Sequence, residues 1–133
     1  MDKLREPREV LERHRQVSWP DFVADIDRQY TVRHALFLTI QICLDICAHI
    51  IAVMGAGVPA EYADMPRALA KLGILPTDLA ERLAQAGGFR NRLIHGYRQL
   101  SLDQVYKSLQ EDLGDFDQFA YYIGQLLKRL SKA

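Results

Sequence analysis

Apolar residues along this chain recur at intervals of three and four, and no run alternates apolar with polar positions as a half-buried strand does. The pattern predicts an all-α chain. Leu4, Val10 and Leu11 mark a weak amphipathic helix ending near Val17, because Ser18-Trp19-Pro20-Asp21 joins a capping hydroxyl to a proline suited to a first helical turn. Phe22, Val23 and Ile26 fit a short connecting turn or helix. The strongest element is expected from about Asp27 to Met54. There Leu36, Ile40, Cys43, Leu44, Cys47, Ile50, Ile51 and Met54 cover more than one face, which requires a central position. Gln41, Asp45 and His49 recur every fourth residue and so interrupt this surface as a single polar stripe.

Gly55-Ala56-Gly57-Val58-Pro59 should end that helix in a loop, and Asp64 with Pro66 should open a short one carrying Met65, Ala68, Leu69 and Leu72, closed by Gly73 and Pro76. Thr77 is placed to cap the next helix, in which Leu79, Leu83 and Ala86 share a face before Gly87-Gly88 breaks or kinks it. Ser101-x-x-Gln104 has the form of a capping box for a helix bearing Leu102, Val105, Tyr106, Leu109 and Leu113. Phe116, Phe119, Ala120, Ile123, Leu126, Leu127 and Leu130 then trace an amphipathic stripe towards the C-terminus. Together these segments make an up-and-down helical bundle. Trp19 and Tyr30 suit core anchors, and His14 and His34 suit the surface.

A chain of 133 residues is long enough for one real core and too short for two, so a single domain over 1–133 is expected. With 49% hydrophobic and 26% charged residues it has the balance of a soluble globular protein. The central apolar helix is long enough to suggest a membrane span, but Asp45 and His49 near its middle would be costly there and no second span exists to shelter them. Met1-Asp2-Lys3-Leu4-Arg5-Glu6 lacks the apolar run of a signal peptide, which points to the cytoplasm. Cys43 and Cys47, four apart in that helix, suit small core residues rather than a disulfide. A zinc reading through Cys43, Cys47 and His49 lacks a fourth partner at ligand spacing, so no metal and no cofactor are expected.

Seventeen basic and seventeen acidic residues cancel, so any nucleic-acid site must be local. Between Glu81 and Leu100 four arginines, Arg82, Arg90, Arg92 and Arg98, stand against one glutamate, a local charge of +3. Between Asp103 and Asp117 five acids oppose Lys107, a local charge of −4. The basic segment contains Arg90-Asn91-Arg92-Leu93-Ile94-His95-Gly96-Tyr97, which places guanidinium, amide, imidazole and phenol within eight residues. Arginine is a planar, permanently charged fork for phosphate oxygens, and histidine can give or take a proton near neutrality. Such a set can cut RNA without a metal, since the 2′-hydroxyl beside the scissile phosphate needs only a base, an acid for the leaving oxygen and positive charge. The same residues could equally cap a helix, face solvent or pair with the acids that follow.

At about 100° per residue Arg90 and His95 point roughly 140° apart on a straight helix, while Asn91 and His95 are neighbours and the amide can hold the imidazole in one orientation. Guanidinium and imidazole meet only if the helix bends, which Gly87, Gly88 and Gly96 would permit, or if a second copy contributes across a two-fold axis. The two-fold arrangement is the favoured one.

The segment Phe89 to Tyr97 resembles the arginine–polar–three residues–histidine–one residue–tyrosine signature of HepT-like toxins in the HEPN superfamily. Tyr30-x-x-Arg33-His34-Ala35-Leu36, Ile40-Gln41-x-x-Leu44-Asp45-Ile46-x-x-His49-Ile50-Ile51, Leu69-x-x-Leu72-Gly73-Ile74-Leu75 and Val105-Tyr106-x-x-Leu109-x-x-Asp112-Leu113 are similar to that family in the same order. The resemblance departs from the family at Gln41, near which an acidic residue is often found. It implies an all-α, HEPN-like bundle of about five helices with a four-helix core that forms a homodimer. It also implies a toxin acting as a metal-independent endoribonuclease, with Arg90 and His95 catalytic and lining a shared cleft. Asn91 and Asp45 would support them, and Arg92 and Arg98 would bind the RNA substrate. A nucleotidyltransferase antitoxin would transfer AMP to Tyr97 and close the cleft. Two rivals are a non-catalytic interaction protein that binds and is modified by a nucleotidyltransferase, and a nucleotide-binding module that uses Arg90 for phosphate. Asp45 and His49 either face the cleft or satisfy each other within the bundle.

Overall fold

The computed structural model describes residues 2–95 and 101–132. Its helices are α1 (Asp2–His14), α2 (Trp19–Ala24), α3 (Ile26–Val53), α4 (Met65–Lys71), α5 (Thr77–His95), α6 (Leu102–Glu111) and α7 (Leu113–Ser131), with a 3-10 turn at Tyr62–Asp64 just before α4. No strand occurs among the described residues. The all-α class expected from periodicity is therefore found. The expected number of about five helices is replaced by seven among the described residues, and local chemistry explains the difference. Ser18 Oγ accepts from the Asp21 N–H and Asp25 Oδ1 from the Arg28 N–H, so the connection after α1 forms a helix of its own before α3 starts afresh. Asp112 alone separates α6 from α7.

Central placement of α3 follows from its sequence. Val32, Ala35, Leu36, Ile40, Cys43, Leu44, Cys47 and Ile51 are all buried, and α3 packs against every other α-helix described. This is the one described helix long and apolar enough to cross a membrane, yet its length here is spent as the hub of a bundle. The buried Thr39 hydroxyl donates to the Ala35 carbonyl at 2.8 Å, so its burial leaves no unpaired donor. Cys43 and Cys47 are free and buried, as their spacing suggested. Burial pushes the Cys47 thiol up to about 12 and keeps both as inert packing groups.

Around this hub, α1 contributes Leu4 and Leu11, α5 contributes Leu79, Ala80 and Leu83, α6 contributes Val105 and Leu109, and α7 contributes Phe116, Phe119, Ile123 and Leu126. Full burial of one such leucine or phenylalanine contributes about 1.5–3 kcal/mol. Polar clamps then fix the assembly at its surface. Arg8 reaches Asp117 with two bonds of 2.8 Å, joining α1 to α7, and Arg82 Nε reaches Asp115 at 2.9 Å, joining α5 to α7. Tyr106 donates to the Val17 carbonyl at 2.8 Å and tucks between Trp19 and Phe22.

Several expectations are corrected. The helix carrying Gly87 and Gly88 is not broken there and continues unbroken to His95; it also includes Thr77 as its first residue, with the Pro76 carbonyl accepting from Ala80. Trp19 is 38% exposed rather than a core anchor, and so is Tyr30, at 55%. Tyr30 lines a surface groove with Arg33, His34, Phe37, Leu93 and Ile94.

Candidate functional site

Three segments far apart in sequence converge on Arg90. The first is α5 itself, whose buried face of Leu79, Leu83 and Phe89 sets its rotation and leaves Arg90 half-buried. The second is the 3-10 turn, which brings the Tyr62 ring to 5.3 Å from the Arg90 guanidinium carbon, within cation–π range. The third is the polar stripe of α3, where Asp45 accepts hydrogen bonds from the Tyr62 hydroxyl and, at 2.8 Å, from the Gln41 amide.

The turn sits where it does because Gly87 lets it. A Cβ built on Gly87 would lie 2.9 Å from the Ala63 Cβ and 3.0 Å from its Cα, closer than side chains tolerate, so the absent side chain is what allows α5 and the turn to touch. Arg67 fastens the far side, binding Asp64 of the turn and, at 2.6 and 3.0 Å, Glu81 of α5.

The electrostatics follow from this packing. Burial first, and then the hydrogen bond to Asp45, push the Tyr62 phenol up to about 12, against a smaller opposing pull from Arg90. Tyr62 thus stays a protonated donor through the neutral range. Arg90 forms no ion pair with any described carboxylate, and its Nε is buried with no acceptor among the described residues. Buried donors are nearly always paired, so an exception on an arginine calls for a ligand or a functional reason.

The expected site residues are distributed as follows. Arg90 and Asp45 are brought together, through Tyr62. Asn91 is exposed on α5. Arg92, also exposed, lies about 200° round the helix from Arg90. It stacks at 5.7 Å on the Phe89 ring and borders a hollow of about 320 Å³ between α5, α6 and α7, shared with Arg82, Gln104, Lys107, Asp112 and Asp115. His95 is the last residue of α5; its side chain, and the whole of Tyr97 and Arg98, lie outside the described residues. His49 is exposed whereas Cys43 and Cys47 are buried, so the three do not converge. Of the local +3 patch, Arg82 is already engaged by Asp115 and Asp78. Tyr62 and Gly87 are the members that the sequence did not reveal. Tyr62 sits in a polar connection with no periodicity to flag it, and Gly87 reads as a helix breaker until its neighbour is known.

Residues 4–123 match the family model described as Ribonuclease HepT-like. The chain is 28% identical over 116 residues to the tRNA nuclease HepT of Aphanizomenon flos-aquae, covering 87% of this chain and 77% of that one. It is 31% identical over 96 residues to the mRNA nuclease HepT of Shewanella oneidensis, covering 69% and 72%. Its fold superposes with a TM-score of 0.81 and 30% identity, over 93% of this chain and 95% of the other, on the tri-AMPylated Shewanella oneidensis HEPN toxin solved in complex with MNT antitoxin.

Proposed function

This chain belongs to the HepT-like ribonuclease family, and from that premise we propose that it is the toxin of a toxin–antitoxin pair, a cytoplasmic endoribonuclease that needs no metal. Arg90 carries this reading: a half-buried guanidinium without a carboxylate partner among the described residues, on a helix that runs unbroken to His95. Arg8, Arg67 and Arg82, by contrast, each meet a carboxylate. An arginine kept without one has a fork ready for phosphate.

Because α5 is continuous, positions 90 and 95 lie roughly 140° apart around its axis. The reading therefore includes a homodimer in which both residues of both protomers line one cleft. One His95 imidazole takes the proton of the 2′-hydroxyl, whose oxygen attacks the adjacent phosphorus. The partner's His95, protonated, gives its proton to the departing 5′-oxygen, and the guanidinium groups balance the charge that gathers on the non-bridging oxygens. The products are a 2′,3′-cyclic phosphate and a 5′-hydroxyl. Asn91, one turn before His95, steadies the imidazole, and Arg92 and Arg98 hold the strand on either side. Transfer of AMP to the Tyr97 hydroxyl by a nucleotidyltransferase antitoxin adds bulk and negative charge and silences the enzyme.

The test is incubation of the purified protein with RNA and with the matching DNA in the presence of a chelator. RNA should be cut to cyclic-phosphate ends and DNA left intact. Activity should fall about 10²–10⁴-fold in His95→Ala, the usual scale of a lost acid–base group, and persist in Tyr97→Phe. Intact RNA under these conditions, with AMP transfer to Tyr97 by a partner, would leave an interaction protein in its place.

A further inference from the structure

Arg8, Arg67 and Arg82 meet carboxylates directly, whereas between Arg90 and Asp45 stands an aromatic ring. That difference has a physical use. A carboxylate in direct contact would neutralise the guanidinium and occupy its N–H donors, and an incoming phosphate would first have to displace it. The face of a ring attracts the same cation and takes none of those donors. A phenol that donates to a carboxylate is also more electron-rich, so Asp45 strengthens the hold on Arg90 without touching it.

We propose that Tyr62 is the positioning residue of Arg90: its ring fixes the guanidinium from behind while Asp45 and Gln41 fix the ring, leaving the fork oriented and charged for a phosphate. The inference deepens the ribonuclease reading and rests on it for the identity of that phosphate. Each part of the arrangement is separately secured. Gln41 and Tyr62 both donate to the same Asp45 carboxylate oxygen, so the ring cannot swing away without giving up a hydrogen bond. The turn that carries Tyr62 is seated on α5 at Gly87, one helical turn before Arg90. The guanidinium donates from Nε to no described residue, and its carbon lies 5.3 Å from the centre of the ring. The Tyr62 hydroxyl is committed to Asp45, so it is the face of the ring that meets Arg90.

The experiment compares RNA cleavage by the full chain carrying Tyr62→Leu, Tyr62→Phe, Arg90→Ala and the double change, with melting temperatures to establish that each is folded. Tyr62→Leu should lower kcat about tenfold, the scale of a partly desolvated cation–π contact, and Tyr62→Phe, which keeps the ring, should recover most of it. On the Arg90→Ala background Tyr62→Leu should cost nothing more. A wild-type rate in Tyr62→Leu, or an equal loss with and without Arg90, overturns the proposal and leaves the ribonuclease reading intact. Absence of cleavage by the wild type overturns the ribonuclease reading alone, and a second measurement then decides the positioning role. The Arg90 Nε–H resonance, identified by its loss in Arg90→Ala, should shift in Tyr62→Leu and far less in Tyr62→Phe. A resonance indifferent to both overturns the proposal.

Discussion

At the scale of single residues, burial and partners decide what a charge does. Asp112 shows this away from the Arg90 site. Burial holds its carboxyl above the ordinary value, helped by the nearby Asp115 and Glu111 and opposed by a hydrogen bond from Ser108 and by Lys107. The folded chain therefore keeps this proton to higher pH than the unfolded chain does, and between the two pKa values the folded state binds more protons, so stability falls as pH rises across that interval. Asp112→Asn cannot ionise and escapes the loss. Its melting temperature should match that of the wild type at about pH 3, below the usual carboxylate range, and exceed it at neutral pH; a variant less stable at pH 7 would contradict this account. Residue chemistry of the motif was legible in the sequence, because arginine, asparagine and histidine announce themselves by type and spacing. Tyr62 was not. Its importance comes from a contact between positions 62 and 90, and no local pattern encodes a contact of that range.

Elements were legible where periodicity was long and caps were strong. The span of α3 was anticipated within a residue or two, and Ser18 and Ser101 cap as their positions suggested. Glycine was misread because one residue type serves opposite purposes. Gly55 and Gly73 take positive φ and end helices, as expected, but Gly87 stays helical and serves as a point of close approach. Gly87 and Gly88 therefore make a matched pair for testing. Gly88→Ala meets nothing within 4 Å and should stabilise the chain by about 0.5–1 kcal/mol through helix propensity alone. Gly87→Ala gains the same propensity but must push the Tyr62 turn off α5. It should lower RNA cleavage while melting no higher than Gly88→Ala. Equal melting temperatures together with equal, wild-type activities would show that the turn yields freely and that the close approach has no functional weight.

For the whole molecule, the question is whether one chain is enough. The bundle explains its own stability, since α3 is covered by the helices around it, but helical spacing sets apart the two positions on which the proposed chemistry depends. Five residues apart on an uninterrupted α5, positions 90 and 95 lie roughly 140° apart around the helix axis, and the net charge of zero offers no general attraction for RNA. A two-fold partner resolves this, and it makes a demanding prediction. Arg90→Ala should lose about 10²–10³-fold for the missing charge stabilisation, and His95→Ala about 10²–10⁴-fold for the missing acid–base group. Co-expressed and purified as a mixed dimer by two different tags, they should regain a measurable part of the wild-type rate, because one protomer still brings a guanidinium and the other an imidazole to the same cleft, with water protonating the leaving oxygen in place of the second imidazole. Two separate single-chain sites could not recover in this way, since every chain in the mixture lacks one of the two groups. Mixed dimers as inactive as their parents would therefore place the chemistry within one chain and remove the reason for the two-fold cleft.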